Sequence, residues 1–432
     1  MCRTPEGPHY MMKLKRTLTI ERLGAQGDGV AVLDGKDLFI PLTLPGERVE
    51  ILQDGSSGEL VQILEASALR QKPPCRFYGQ CGGCLLQHAD PVLYQDWKQK
   101  NLTDTLRQTD IDLAPEPMQK AHGEGRRRVT LHARRENSTW HVGFMARRSH
   151  TLIAITDCLL LVPALSKAVE TAQTLVEALG GDKPLDIQLT ATDGGIDVDI
   201  RGHGPISDGK RRVLATTAQH LGLARLTLHH ELILEQTPPQ ITMGSATLIP
   251  PAGGFLQSTQ AGENCLGDLV TTAAARGKSV ADLFAGVGTF SLRLAKIAKV
   301  HAVESEARAL AALERAARLT PHLKPVTCEQ RDLFKRPLQV AELNHFDTVV
   351  FDPPRAGAEA QVKQLARSDV KTVIAVSCNA QTFARDARIL KQGGYDLQKI
   401  WPVDQFLYSA HIELVAVFGK AKSIQKTRRL FG

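Results

Sequence analysis

The feature that most constrains the fold is an alternation that begins near residue 255 and continues almost to the end of the chain. Apolar runs at 280–285, 299–305, 347–351 and 372–378 are each followed by a helix-like stretch, at 289–298, 307–319, 359–368 and 381–392. Successive strands separated by helices run parallel, because the crossover returns the chain to the same edge of the sheet. The predicted class is α/β: an open, mostly parallel sheet with helices on both faces. Ligands of such sheets bind beyond the carboxyl ends of the strands. Every C-terminal motif below lies at such an end.

The segment 281–290, ADLFAGVGTF, closes one strand and opens a helix. Gly286 and Gly288 allow a tight turn and close approach of a ligand. Leu292 and Arg293 stand where the dinucleotide fingerprint has its third glycine. Glu304 ends the next strand, 16 residues after Gly288, where a carboxylate can accept both hydroxyls of a ribose. The pattern suits S-adenosylmethionine better than NAD; a plain tight turn is the bland alternative. Asp352 follows a buried strand and precedes Pro353 and Pro354, a stiff wall. Arg355, not an aromatic residue, comes next, which argues against amine methylation. Cys378, in Ser377-Cys378-Asn379, ends the strand 372–376 and can serve as a nucleophile, although a lone cysteine there is more often core. The run 411–418, HIELVAVF, reads as a last strand, expected to be antiparallel. That direction would bring His411 and Glu413 to the edge that carries Cys378. A glutamate in so apolar a stretch should have a raised pKa, as a general base requires.

Upstream, residues 13–70 carry five short alternating runs broken by Gly, Asp and Pro, the mark of a small OB-type β-barrel. Residues 71–90 are dense in Cys, Gly and Pro, and a helix is expected from 90 to 108. Residues 126–250 mix strands and helices, an α+β middle domain. The expected domains are 13–70, 71–250 and 251–432. Three of the eight cysteines fall in Cys75-x5-Cys81-x2-Cys84, with Cys158 the candidate fourth ligand. Paired short spacings would suit zinc. This pattern is closer to iron–sulfur ligation, with zinc left open. Net charge is +7, and Arg126–Arg128, Arg134–Arg135, Arg147–Arg148 and Lys210–Arg212 gather in the middle domain, where they could track a phosphate backbone. No apolar run approaches the ~18–20 residues of a membrane span. Nor is there a secretory signal, so a cytoplasmic chain is expected. Met11 and Met12 suggest a natural start there.

Together, in order, these motifs resemble the uracil-5 RNA methyltransferases, most closely the 23S ribosomal RNA branch with a TRAM domain and an iron–sulfur cluster. The resemblance runs from about residue 13 to 419. It rests on the 21–31 block with Phe39-Ile40-Pro41 and 44–49, on the cysteine pattern, and on 143–150. Further matches are Phe255-Leu256-Gln257, the 282–290 turn, Glu304, Asp352-Pro-Pro-Arg355, Ser377-Cys378-Asn379 and His411-Ile412-Glu413. It implies a Rossmann-like methyltransferase domain behind an RNA-binding TRAM barrel. It implies S-adenosylmethionine held by Gln257, Phe284, Thr289, Glu304 and Asp352, and a 4Fe-4S cluster on Cys75, Cys81, Cys84 and Cys158. Cys378 would be the nucleophile that attacks carbon 6 of uracil, and Glu413 the base that removes the carbon 5 proton. The implied partner is RNA, 23S ribosomal RNA first, with a monomeric protein. The rivals are the same reaction on a transfer RNA uridine and a non-catalytic iron–sulfur RNA-binding protein. Three departures from the family pattern stand out: Ala380 for a proline, Thr289 for an asparagine, and Ser258-Thr259 for Val-Asn.

Overall fold

A computed structural model describes residues 13–109 and 111–421; the start expected at Met11 or Met12 and residues 422–432 of the basic tail lie outside the described residues. The chain divides into two compact units. The first holds the residues up to Asn101 with 146–148 and 408–410, and the second holds the rest.

In the first unit, β1 (Leu14–Thr19), β2 (Arg22–Leu23), β3 (Gly29–Leu33), β4 (Lys36–Ile40), β5 (Arg48–Asp54) and β6 (Ser57–Glu65) form one curled sheet. The strand order is β1-β5-β6-β4-β3-β2. Six strands replace the expected five because the first run changes partner. β1 pairs with β5 and β2 with β3. Between them Ile20 N–H donates to Glu47 O and Glu21 N–H to Val30 O, both at 2.8 Å. Alternation sends Ile20, Ala31, Leu38, Ile40, Val49 and Ile51 into the core. Gly29 is indispensable there: a Cβ on it would lie 2.0 Å from Thr43 Oγ1.

Fully buried Glu47 anchors the sheet to the segment after β6. Arg70 donates to it through Nε (2.5 Å) and Nη2 (2.8 Å), and Leu44 N–H donates at 2.8 Å. Burial pushes this carboxyl up, but the Arg70 bond and the backbone N–H groups of Leu44 and Ser67 outweigh it and hold it below its ordinary 4.5. A depressed folded-state pKa stabilises above the unfolded value and is lost as pH falls through the folded one. Stability of this unit should therefore drop on acidification below about pH 4.5. Arg70→Met, which strands the carboxylate, should cost about 3 kcal/mol at neutral pH and flatten that acid limb. Urea unfolding at several pH values checks both.

The regular part of the next helix is α1 (Pro91–Arg107). In the second unit, β7 (Gln119–Lys120) is followed by β8 (Arg128–Glu136), β9 (Thr139–Met145), β10 (Leu152–Ala154), α2 (Ala168–Leu179), β11 (Leu185–Thr192), β12 (Gly195–Arg201), α3 (Asp208–His220), β13 (Arg225–Leu228) and β14 (Glu231–Glu235). β8 to β14 make a seven-stranded sheet, order β10-β9-β8-β11-β12-β13-β14, against which α2 and α3 pack. A hairpin of β15 (Ile241–Met243) and β16 (Ala246–Leu248) leads to α4 (Gln260–Ala273).

Then comes the expected alternation: β17 (Ser279–Leu283), α5 (Ser291–Leu294), β18 (Lys299–Glu304), α6 (Ala307–Leu319), β19 (Val326–Gln330), α7 (Val340–Leu343), β20 (Thr348–Phe351), α8 (Glu359–Leu365), β21 (Thr372–Ser377), α9 (Ala380–Gln392), β22 (Tyr395–Asp404) and β23 (Glu413–Lys420). The sheet order is β19-β18-β17-β20-β21-β23-β22-β7. β17 to β21 are mutually parallel where they pair, and β23 runs antiparallel between β21 and β22. β20 is buried along its whole length, as is β23 up to Phe418. Cover on both faces explains why these strands read as continuous apolar runs rather than alternating ones. The helix expected at 289–298 is regular only in α5, because its hydrogen bonds mix three-residue spacing (Ile297 to Leu294) with four-residue spacing (Ala295 to Ser291). Strand order reverses between β18 and β20 on either side of β17, which opens a crevice at their carboxyl ends. Among the described residues no helix is long and apolar enough to cross a membrane.

Candidate active site

The turn after β17 forms one side of the crevice. Phe284 (φ +61°), Gly286 (φ +54°) and Gly288 (φ +97°) all take left-handed backbone. The two glycines do different work. A Cβ on Gly288 would lie 2.4 Å from Leu313 Cδ1, so this glycine lets α6 pack close. Around Gly286 a Cβ would meet no heavy atom within 4 Å, so the floor there is open to a ligand. Phe284, strained for a bulky residue, places its ring 5.4 Å from that of Phe334. Thr289 is half-buried in the same turn. The Glu304 carboxylate, at the end of β18, accepts N–H bonds from Gly286 (2.9 Å), Ser305 (2.6 Å) and Glu306 (2.9 Å). Beneath the turn, Asp282 Oδ2 accepts the Ser291 hydroxyl at 2.5 Å while its buried Oδ1 has no partner. Burial pushes Asp282 up to about 7, opposed by Ser291 and reinforced by the charge of Glu304.

Asp352 leaves the end of β20 on the other side of the crevice. Gln257 Nε2 donates to its Oδ2 at 3.4 Å. Gln405 Nε2 donates both to Gln257 Oε1 (2.8 Å) and to Glu413 Oε1 (3.2 Å). A continuous line of side chains thus joins Glu413, Gln405, Gln257 and Asp352. Burial raises Asp352 well above the ordinary aspartate value, and the charges of Glu413 and Asp282 push the same way. Asp282 therefore feels both sides of the crevice. Burial lifts Glu413 to about 7, with the Gln405 bond and the Arg355 charge working against it.

Cys378 sits between β21 and α9. Asn379 caps α9, its Oδ1 accepting N–H bonds from Gln381 (3.0 Å) and Thr382 (3.5 Å), while its Nδ2 donates to Arg355 O (3.3 Å). Burial pushes the Cys378 thiol up to about 11; Glu413 and then Asp352 add to this and Arg355 opposes it. The antiparallel β23 starts at this same edge, and Arg355 Nη2 donates to His411 Nε2 at 3.0 Å. Cys378, Glu413, Asp352 and Gln257 thus converge, and Asp282 links them to the Glu304 turn.

The departures from the family pattern are accommodated locally. Ala380 is the first residue of α9, and its cap is intact. Thr259 caps α4 by accepting Gly262 N–H at 2.8 Å, a role asparagine also plays.

Two residues were not legible. Gln405 has no motif around it; its place is set by where β22 ends. The basic run 126–128 suggests a phosphate-tracking patch, and the structure corrects this for Arg127. It is 4% exposed, binds Glu263 and donates to Gln257 O (3.1 Å), so it ties the loop carrying Gln257 to α4. Arg147 and Arg148 are likewise engaged, with Asp28 at 2.7 and 3.0 Å.

In the cysteine loop, Gly83 N–H donates to Cys81 Sγ at 3.4 Å. Burial raises the Cys81 thiol, that N–H opposes it and Cys75 adds to it. Cys158 follows β10 in the second unit. Among the described residues no group of three or more His, Cys, Asp or Glu side chains is drawn together as a metal site, so the residues as placed do not show a cluster's geometry.

Residues 253–421 match the family model described as tRNA (Uracil-5-)-methyltransferase. An uncharacterized RNA methyltransferase of Mesorhizobium japonicum is 44% identical over 94% of this chain and 98% of its own length. The 23S rRNA (uracil(1939)-C(5))-methyltransferase RlmD of Halomonas elongata is 34% identical over 92% of this chain and 88% of its own. Among solved structures, the tRNA (uracil-54, C5)-methyltransferase of Pyrococcus abyssi, in complex with S-adenosyl-L-homocysteine, matches in fold with a TM-score of 0.71 at 21% identity. That match covers 93% of this chain and 100% of that one.

Proposed function

This chain belongs to the RNA (uracil-5-)-methyltransferase family, and from that premise we propose that it methylates carbon 5 of a uridine in 23S ribosomal RNA through a transient bond between Cys378 and the base. The observation that carries the reading is the convergence of the Cys378 thiol with buried Glu413 and half-buried Asp352, whose charges both raise the thiol, at the ends of β20, β21 and the start of β23.

The site suits a cationic cofactor. Burial raises the carboxyls of Asp282, Asp352 and Glu413, with Arg355 opposing it only at Glu413, and Asp282 Oδ1 is orphaned. S-adenosylmethionine, when bound, supplies a methyl group activated on a sulfonium. Glu304, Phe284 and Thr289 would hold its nucleoside part, and Asp352 and Gln257 the end nearer Cys378. A cation beside Asp352 and Glu413 would also bring the Cys378 thiol down from about 11. Cys378 Sγ then bonds carbon 6 of the uracil and makes carbon 5 nucleophilic. Once carbon 5 carries the methyl, Glu413 takes the proton from it, the electron pair returns to the ring, and the sulfur leaves. RNA containing 5-fluorouridine tests this directly. Fluorine cannot leave as a proton, so a covalent protein–RNA adduct should persist; its absence would refute the covalent route.

A base with a pKa of about 7 must be ionised to act. Turnover should therefore rise with pH through about 7. Gln405 lowers the Glu413 pKa through its hydrogen bond, so Gln405→Leu should move that limb upward, read as kcat against pH. An unmoved limb would remove Gln405 from the mechanism.

Ribosomal RNA is favoured by the near-full-length match to the Halomonas protein. Transfer RNA, named by the family model, is the second reading. Mapping 5-methyluridine in cells lacking the protein separates them. For residues 13–70 we propose RNA binding. For Cys75, Cys81, Cys84 and Cys158 we propose a 4Fe-4S cluster, supported by their spacing and the Gly83 bond to Cys81. Anaerobic purification should give a brown protein with equal iron and sulfide; a colourless protein holding zinc would replace that assignment.

A further inference from the structure

Glu263, in the first turn of α4, is a carboxylate that the proposed chemistry does not use. It is 0% exposed and stands between two guanidinium groups. Its Oε2 accepts from Arg127 Nη2, and its Oε1 accepts from Arg293 Nη2 at 3.3 Å. Both arginines are buried as well. Neighbours on α4 complete the group. Gln260 Oε1 accepts from Arg127 Nη1 at 2.7 Å, and Asn264 Oδ1 accepts from Arg293 Nη2 at 2.7 Å. Gly267, one turn after Glu263 on the same face of α4, makes room for this: a Cβ there would lie 2.4 Å from Arg293 Cδ. Glycine is a poor helix former in such a position, so the path of Arg293 along α4 is kept against helix propensity. Each arginine belongs to a different wall of the crevice. Arg127 Nε donates to Gln257 O at 3.1 Å, and Arg127 N–H to Ser258 O at 2.9 Å. Arg293 lies in α5, which is continuous with the cofactor turn: Leu292 N–H donates to Gly288 O at 3.1 Å.

A buried ion bridge is weak evidence for stability. Taking the charges out of water offsets most of their attraction, and apolar side chains of the same volume often hold a fold as well. Apolar contacts do not fix direction, whereas forked guanidinium–carboxylate bonds do. We infer that Glu263 is a positioning residue for both walls of the crevice: through Arg127 it fixes Gln257, and through Arg293 it fixes the helix that carries the cofactor turn. The first arm ends on the line of side chains at Asp352 and Glu413. With its carbonyl held by Arg127, Gln257 presents Oε1 to Gln405 Nε2, and that same Nε2 donates to Glu413. Glu413 is also faced by the charges of Arg355 and Asp352 and by the Cys378 thiol. The second arm ends on the turn at Gly286 and Gly288, where Glu304 accepts the Gly286 N–H. The arms meet at one carboxylate and are otherwise separate, so each can be cut alone.

The inference rests on the uracil-5 reading, and the test keeps the two apart. The full-length protein is compared with Arg127→Met and Arg293→Met. Glu263 keeps one arginine in each variant, so neither leaves its buried charge without a counterion. Arg127→Met frees Gln257 and loosens the Gln405 bond that lowers the Glu413 pKa. Its limb of kcat against pH should therefore move upward by about one pH unit. Arg293→Met should leave that limb in place. It should instead weaken binding of S-adenosylhomocysteine to the free protein by about fivefold, read by titration calorimetry. A merely structural defect removes active molecules, lowering kcat by the same factor at every pH and leaving the affinity of the folded fraction unchanged. That result in both variants, an unmoved limb in Arg127→Met, or an unaltered affinity in Arg293→Met overturns the two-sided role. Failure of the wild type to form an adduct with 5-fluorouridine RNA overturns the uracil-5 reading instead, and the calorimetric arm still decides whether Arg293 positions the cofactor turn.

Discussion

Cys378→Ala should lower methyl transfer by at least about 10⁴-fold and leave no covalent species with 5-fluorouridine RNA. Carbon 5 of uracil is too weak a nucleophile to take a methyl group unaided, so loss of the sulfur removes a step and not merely a contact. The substitution should cost little stability, since the thiol lies half-buried in the crevice and outside the packed clusters. Asn379 still caps α9, and Ser377 still ends β21. Methyl transfer measured with the pure variant decides the point. Activity within tenfold of the wild type would mean that the sulfur never bonds the base.

Glu413→Gln should have the opposite signature: the covalent species accumulates on ordinary, unfluorinated RNA. Attack by Cys378 and methylation of carbon 5 need no ionised carboxylate at 413, whereas release does. The amide keeps the shape, and Gln405 can still be met through its oxygen. Release should slow by about 10²–10⁴-fold, the usual contribution of a positioned base. The pH limb near 7, which in the wild type reflects ionisation of Glu413, should vanish from the release step. A protein–RNA band that survives denaturing gel electrophoresis reports the trapped state. If Glu413→Gln turns over freely and traps nothing, another group removes the proton.

Opposing effects act on the Cys378 thiol. Burial, Glu413 and Asp352 raise it, while Arg355 lowers it, and the balance leaves it protonated in the free protein. The same carboxyls that suppress the thiolate would attract a cationic cofactor. On the proposed reading, the Cys378 thiol would be unmasked only when the methyl donor is in place.

Much of this was legible before any coordinates. The alternation after residue 255 specified a parallel sheet, because a helical crossover has no other way to return the chain. The apolar run 411–418 with one glutamate pointed to a raised carboxyl at a strand start, and β23 has that form. Where the sequence misled, the cause was long-range. The first strand run splits into β1 and β2 because it serves two partners distant in sequence. Arg127 resembled its basic neighbours until Glu263, 136 positions away, took its guanidinium into the interior.

Local sequence set the residue types of the candidate site: a thiol at 378, carboxyls at 282, 352 and 413, and glycines that allow a turn at 286 and 288. Those choices are written in residue type and spacing, which depend on near neighbours in the chain. Tertiary structure alone decided that Gln405 would orient Glu413 and Gln257 together, that three carboxyls would share one low-dielectric crevice, and that Glu263 would take both Arg127 and Arg293. Hydrogen-bond geometry and charge–charge energy depend on distances in space, and only the packed sheet brings residues separated by up to 166 positions (127 to 293) to one place.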